Sequence, residues 1–302
     1  MFKSKNSMSR ALVRRETTAG YLFLLPSLFF FVTFVLYPMF LCIYTSFFDS
    51  NMGKNAVDVF VGLGNYKELF RDKLFLGALK NTVIIVLVAV PTVCAFSLWV
   101  ATAIYDMKPA LTSAFRCIFY LPVVTGSVAV TVVWKWMYNS RYGVFNYLFK
   151  SLGIIDQNIN WLGDARFALW CIILILFTTS VGQPIVLYVS ALCNVDHSLV
   201  EAAQVDGANR RQVFWKIKWA QIMPTTLYIL IITTINSFQC FALIQLLTSG
   251  GPTHSTDTIM YYIYYTAFKL YRYGYGNAMG VVLMIIIAVL SAVQFKLGQQ
   301  SD

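Results

Sequence analysis

The side chains best able to do chemistry in this sequence lie inside its longest apolar runs. One run carries Thr178, Thr179, Ser180 and Gln183, with Gly182 and Pro184 flanking the glutamine. The next carries Thr233, Thr234, Asn236, Ser237 and Gln239, followed by Cys240 and Gln245. On a helix, the i, i+4, i+7 spacing puts Thr233, Ser237 and Cys240 on one face. Hydroxyls and carboxamides both donate and accept, so such groups can exchange hydrogen bonds with a polyol without demanding a counter-charge. The same residue types also bind apolar helices to one another, and residue type alone leaves both readings open. Ion-coupled transport ordinarily leaves a carboxylate within a span, and no Asp or Glu lies at the centre of any apolar run.

Covalent and nucleotide chemistry are not indicated. No G-x-x-x-x-G-K-[ST] loop occurs, and Gly274 to Gly280 (GYGNAMG) has neither the spacing nor the strand context of a nucleotide-binding turn. G-x-S-x-G and H-E-x-x-H are also absent. The cysteines Cys42, Cys94, Cys117, Cys171, Cys193 and Cys240 stand singly, without paired spacing. His197 and His254 have no neighbour at ligand spacing. The expectation is a non-catalytic chain with no metal site and no cofactor of its own.

The elements that carry these residues follow from composition. With 58% hydrophobic and 12% charged residues, against about 25% charged in globular chains, repeated long apolar runs predict an all-α, polytopic membrane protein. Six transmembrane helices are expected near residues 19–48, 81–105, 115–138, 167–192, 225–248 and 276–297. The domain plan is a basic arm (1–18), a transmembrane domain (19–298) and a short tail (299–302). Lys3, Lys5, Arg10, Arg14 and Arg15 against Glu16 hold the arm in the cytosol. Six spans then return the C-terminus to the cytosol and place residues 106–114 and 193–224 there. The net charge of +10 is scattered over short loops, so it reads as a topology signal rather than a nucleic-acid face.

Residues 193–224 form the longest cytosolic loop, and EAAQVDGANRRQVFWKIKWAQIMP (201–224) reads as two short helices hinged at Gly207, where only glycine takes positive φ cheaply. Glu201 is expected to begin the first helix, favoured by its dipole, and Asp206 to cap the second. A hinged polar helix pair suits docking into a partner's groove; an interfacial amphipathic loop has the same composition.

Glu201-Ala202-Ala203, Asp206-Gly207-Ala208, Phe214, Ile217 and Pro224 resemble the EAA loop of binding-protein-dependent ABC importer permeases. In that family the loop is the cytoplasmic coupling helix, seated in a cleft of the ATPase subunit. The family usually has Leu-Pro two residues after the isoleucine; Trp219-Ala220 stand there, and Pro224 matches only a more distal proline. Phe60, Gly62, Leu63, Asn65 and Tyr66 with Asn81-Thr82, and Leu247 to Pro252 (LTSGGP) with Thr256, Ile263-Tyr264, Ala267-Phe268 and Gly274-Tyr275-Gly276, are similar to the carbohydrate-uptake branch of maltose and multiple-sugar type. The motif order matches the first permease of a heterodimer, over about residues 20–295.

The resemblance implies a permease subunit of an ATP-driven importer for a sugar or oligosaccharide in a bacterial or archaeal plasma membrane. Its partners would be membrane lipid, a second homologous permease, two ATP-binding subunits that hold ATP and Mg, and an extracytoplasmic solute-binding protein, with no nucleic acid. It implies ATPase coupling for Glu201, Ala202, Ala203, Asp206, Gly207, Ala208, Arg210 and Arg211; lipid phosphate is an equal partner for the two arginines. By alignment with the family's sugar-contacting helix, the substrate path would include Thr179, Gln183, Thr233, Asn236, Ser237, Gln239 and Cys240. The family often has Gly-Phe-Asn where this chain has Gly182-Gln183-Pro184. A permease for a phosphorylated polyol of glycerol phosphate type is the same-family alternative, lowered because the fourth and fifth segments carry no cation. An ion-coupled secondary transporter is the alternative from another class.

Overall fold

A computed structural model describes the backbone of residues 3–50 and 58–299, and the side chains of 13–50 and 58–298. The side chains of Lys3, Lys5 and Arg10 in the basic arm, and residues 300–302 of the tail, lie outside the described residues. Helix α1 (Lys3–Phe31) passes through a π-helical turn (Val32–Leu36) into α2 (Tyr37–Thr45). A small antiparallel pair follows, β1 (Phe48–Asp49) with β2 (Val59–Phe60), in the register Phe48↔Phe60. Then come α3 (Gly64–Leu69), α4 (Lys73–Ile104), α5 (Pro109–Val124), α6 (Ser127–Met137) and α7 (Val144–Ser151). The second half contains α8 (Ala168–Ser180), α9 (Gly182–Cys193), α10 (His197–Val205), α11 (Arg210–Val213), α12 (Trp219–Phe238), α13 (Ala242–Leu247), α14 (Ile259–Tyr264) and α15 (Tyr273–Gln299).

Five continuous stretches are long and apolar enough to cross a membrane: Val13–Thr45, Lys73–Ile104, Ala168–Cys193, Arg210–Leu247 and Tyr273–Gly298. A sixth forms only if α5 and α6 count as one span, and they meet at 94°. The chain is therefore all-α and polytopic, as expected, but the third segment is broken rather than straight. Pro122 lies in the last turn of α5, which ends at Val124, and the extended Thr125 and Gly126 (ψ 124° and 143°) redirect the chain before Ser127. Segment two starts earlier than expected: Asp72 caps α4 by accepting from Leu74 N at 2.8 Å.

Helix α4 is the centre of the bundle. Its Val93, Val100, Ala101 and Ile104 are buried with Ile185, Tyr188, Val189 and Leu192 of α9, and with Ile222 and Ile229 of α12. Small residues permit this close approach: Ala89, Ser97 and Ala101 are fully buried, and Ser97 donates to Val181 O at 3.3 Å. Helix α9 reaches α5 equally closely at Gly182, where a Cβ would stand 2.4 Å from Phe119 O.

One end of the bundle is closed by a polar layer. Asn65 donates to Ser46 O and Phe48 O (2.8 and 2.9 Å), holding β1. Arg272 makes a two-pronged contact with Glu68, both arms at 2.8 Å. Tyr262 and Tyr275 both donate to Asp72 Oδ2 at 2.7 and 2.8 Å. Asn81 donates to Ser255 O and Asp257 O, tying the 247–258 loop to α4.

Candidate functional site

The loop 193–224 folds as two short helices around a glycine, and its capping differs from expectation. Helix α10 begins at His197, capped by Asp196, whose Oδ1 accepts from Ser198 N at 2.9 Å. Glu201 is therefore mid-helix, not at the start, and the helix-dipole argument passes to Asp196. Asp206 does not cap the second helix; it ends the first. Asn209 caps α11 in a reciprocal box, accepting from Gln212 N at 2.9 Å while Gln212 accepts from Asn209 N at 2.8 Å. The N-x-x-Q spacing is a sequence signature of that box.

Between the two, Gly207 adopts φ +80°. Ala208 N donates to Ala203 O, and Gly207 N to Gln204 O, the paired closure of a glycine-terminated helix. Ala203, Ala208, Val213 and Ile217 face the core around α4 and α9. Glu201, Ala202, Asp206, Arg210 and Arg211 face outward with Val205, which is 88% exposed. The loop is thus pinned by its apolar face and offers a mixed-charge outer face around the exposed Val205, with Leu199 and Trp215 also exposed. Two further contacts fix its exit: Gln221 Oε1 accepts from Asp196 N at 3.0 Å, and Lys218 bonds Tyr105 at the end of α4. Trp219-Ala220 continue helically out of a π-helical turn (Phe214–Lys218) into α12.

The membrane segments form a cleft of about 160 Å³ between α5, α8, α9 and α12, lined by Thr179, Ser180, Gln183, Thr233 and Asn236 with Val123. Thr179 spends its donor within its own helix, on Ile175 O at 3.0 Å. Gln183 and Asn236 are exposed in the cleft. Four of the seven sequence-selected residues, Thr179, Gln183, Thr233 and Asn236, therefore meet here. The other three do not line it. Ser237 is buried, Gln239 stands exposed where α12 ends, and Cys240 lies beyond that end in a separate core with Cys171 and Ile244. The face shared by Thr233 and Ser237 does not continue to Cys240, because the helix stops at Phe238. No cluster of three His, Cys, Asp or Glu able to hold a metal is present among the described residues.

The sequence and the fold of the bundle match known proteins. The family described as "Binding-protein-dependent transport system inner membrane component" matches residues 59–299. The chain belongs to that family. The probable ABC transporter permease protein YesP of Bacillus subtilis is 33% identical over 94% of this chain and 91% of its own length. The multiple sugar-binding transport system permease protein MsmF of Streptococcus mutans is 32% identical, covering 94% of this chain and 96% of that protein. Among solved structures, the permease fold recurs in a bacterial ABC transporter involved in the import of the acidic polysaccharide alginate, with a TM-score of 0.79 and 23% identity over 97% of this chain and 99% of that one. The chain is accordingly an inner-membrane permease of binding-protein-dependent transport.

Proposed function

We propose that this permease carries a sugar or oligosaccharide inward as one half of an ATP-driven importer. The observation that supports the reading is the cleft in which Thr179, Gln183, Thr233 and Asn236 converge, lined only by uncharged groups. Such groups match the hydroxyls of a polyol, and the name of the relative MsmF points to the same substrate class. The second half of the path would come from a homologous permease, and solute from an extracytoplasmic binding protein. Two ATP-binding subunits would hold ATP and Mg, leaving this chain non-catalytic. Both termini and the loop 193–224 would lie in the cytosol. The exposed face of Glu201, Ala202, Val205, Asp206, Arg210 and Arg211 would seat in the ATPase subunit, and ATP-driven closure there would rock the segments around the cleft.

The test is uptake of labelled sugars by proteoliposomes holding the complete complex and its binding protein. The reading expects uptake that requires ATP, and its loss on Gln183→Leu with Asn236→Leu while ATP hydrolysis continues. Uptake by this chain alone along an ion gradient would overturn it.

A further inference from the structure

Among the described residues, no hydrogen bond or ion pair accounts for Arg116, a cation of the third membrane segment. Arg116 is in the second turn of α5 and is half-buried; its Nε is shut off from solvent without a hydrogen-bond partner. None of the three ion pairs found among the described residues involves it. A guanidinium stays charged wherever it sits; in the second turn of α5 it stands near the end of the span, where it costs less than at a helix centre on insertion scales. Its shielded, unpaired Nε still leaves a donor to be satisfied.

Its location suggests the use. Arg116 lines a cleft of about 450 Å³ with Cys117, Tyr120, Gln183, Val186 and Leu187. Gln183 and Leu187 also line the polar cleft described above. The two clefts are therefore consecutive parts of one groove between α5 and α9. Arg116 precedes Val123 by two helical turns, about 10 Å along the axis, toward the end where α9 runs into the loop at residue 193. A sugar leaving the Thr179–Asn236 cleft toward the loop side would pass Gln183 and meet the guanidinium next.

We propose that Arg116 is a specificity-determining residue of the path. It donates to the oxygens of the passing carbohydrate and makes the loop-side half of the groove electropositive, so that neutral and acidic sugars are accepted and ammonium-bearing amino sugars are disfavoured. This rests on the reading of the groove as the substrate path. No carboxylate within the spans neutralises the charge, so it remains available to a ligand. The competing role is snorkelling of the guanidinium to a lipid phosphate.

Charge selectivity of thiol modification separates these roles without knowledge of the sugar. The assembled transporter in liposomes, its native cysteines replaced, carries the single reporter Gln183→Cys. It is reacted with an anionic sulfonatoethyl and a cationic trimethylammonioethyl methanethiosulfonate. The anionic-to-cationic rate ratio is expected to fall by about threefold or more when Arg116→Gln removes the charge, and to be retained in Arg116→Lys. An unchanged ratio overturns the proposal and assigns the guanidinium to lipid. Failure of both reagents to react would instead overturn the groove as a water-filled path. If the Gln183→Cys protein does not assemble, Thr179→Cys serves as reporter, with a smaller change of the same sign expected and no change counting against the proposal.

Discussion

Lys218 donates from Nζ to the Tyr105 hydroxyl across 2.5 Å, joining the exit of the loop 193–224 to the last turn of α4, the bundle's central helix. The ammonium stands 4.8 Å from the ring centre, beyond the hydroxyl edge, so the hydrogen bond rather than the ring face is the contact. A bond to a charged donor contributes about 1.5–3 kcal/mol where it is shielded from water; both residues here are only half-buried, which lowers that figure. Tyr105→Phe is expected to leave the fold and the membrane insertion intact but to let the loop move independently of α4. The measurement is sugar delivered per ATP hydrolysed, expected to fall several-fold; an unchanged ratio would show that the loop transmits motion by another route.

Gly207 separates conformational from steric demand. A Cβ there would meet nothing within 4 Å, yet φ is +80°. Only the backbone resists substitution, and a β-branched residue in this region is strained by about 1–2 kcal/mol. Asparagine tolerates left-handed conformations far better. Gly207→Val is therefore expected to impair ATP-coupled uptake, with Gly207→Asn close to the parent. Equal loss in both would mean that side-chain bulk against the ATPase subunit, not the hinge, is what matters.

Two aspartates of the closing layer respond oppositely to pH. Desolvation pulls the Asp72 carboxyl up, but hydrogen bonds from Tyr262, Tyr275 and the backbone at Leu74 and Phe75 outweigh it, so its pKa lies below the ordinary value. The unfolded chain then binds the proton first as pH falls, so Asp72 stabilises fully above about pH 4 and that contribution is lost as pH drops below it. Burial pushes Asp257 up, only partly offset by His254, whose Nδ1 is 2.7 Å from Oδ2. Here the folded form holds its proton longer, so stability declines as pH rises above about 4. Thermal midpoints of the detergent-solubilised protein at pH 7 should fall for Asp72→Asn and stay level or rise for Asp257→Asn. Parallel losses would show that the layer depends on shape rather than charge.

The contrast between local and distant signals explains what could be read from residues alone. Gly207 and the Asn209–Gln212 box are encoded within a few positions, and the long apolar runs mark the spans wherever the polypeptide stays straight. The N-x-x-Q spacing of Asn209 and Gln212 marks Asn209, not Asp206, as the cap. The 94° break after α5 was hidden because hydropathy runs on through Thr125-Gly126-Ser127, although Pro122 and Gly126 marked it. The end of α12 at Phe238 carries no Gly or Pro at all, so Cys240 kept a helical spacing on paper that the fold does not continue. Asp72's cap on α4 is local, but its place in the closing layer is not, since its tyrosine partners lie 190 and 203 residues away.

The groove between α5 and α9 exists because Gly182 lets the two helices touch. A Cβ at that position would lie 2.4 Å from Phe119 O, 2.9 Å from Val123 Cγ2 and 3.0 Å from Tyr120 Cα. Two of these three are backbone atoms, which cannot turn aside as a flexible side chain would. Unlike Gly207, Gly182 has an ordinary helical conformation, so the whole cost of substitution is steric. Overpacking of this kind costs about 1–3 kcal/mol. It acts where Gln183 and Val123 line the polar cleft, so relief by separating α5 from α9 would widen the cleft as well as weaken the fold. Gly182→Ala is expected to lower the thermal midpoint and to change which sugars are taken up, whereas Gly207→Asn should do neither. A Gly182→Ala protein with the parent's midpoint and sugar preference would mean that α5 can shift without moving the cleft, and that the close crossing does not set the width of the path.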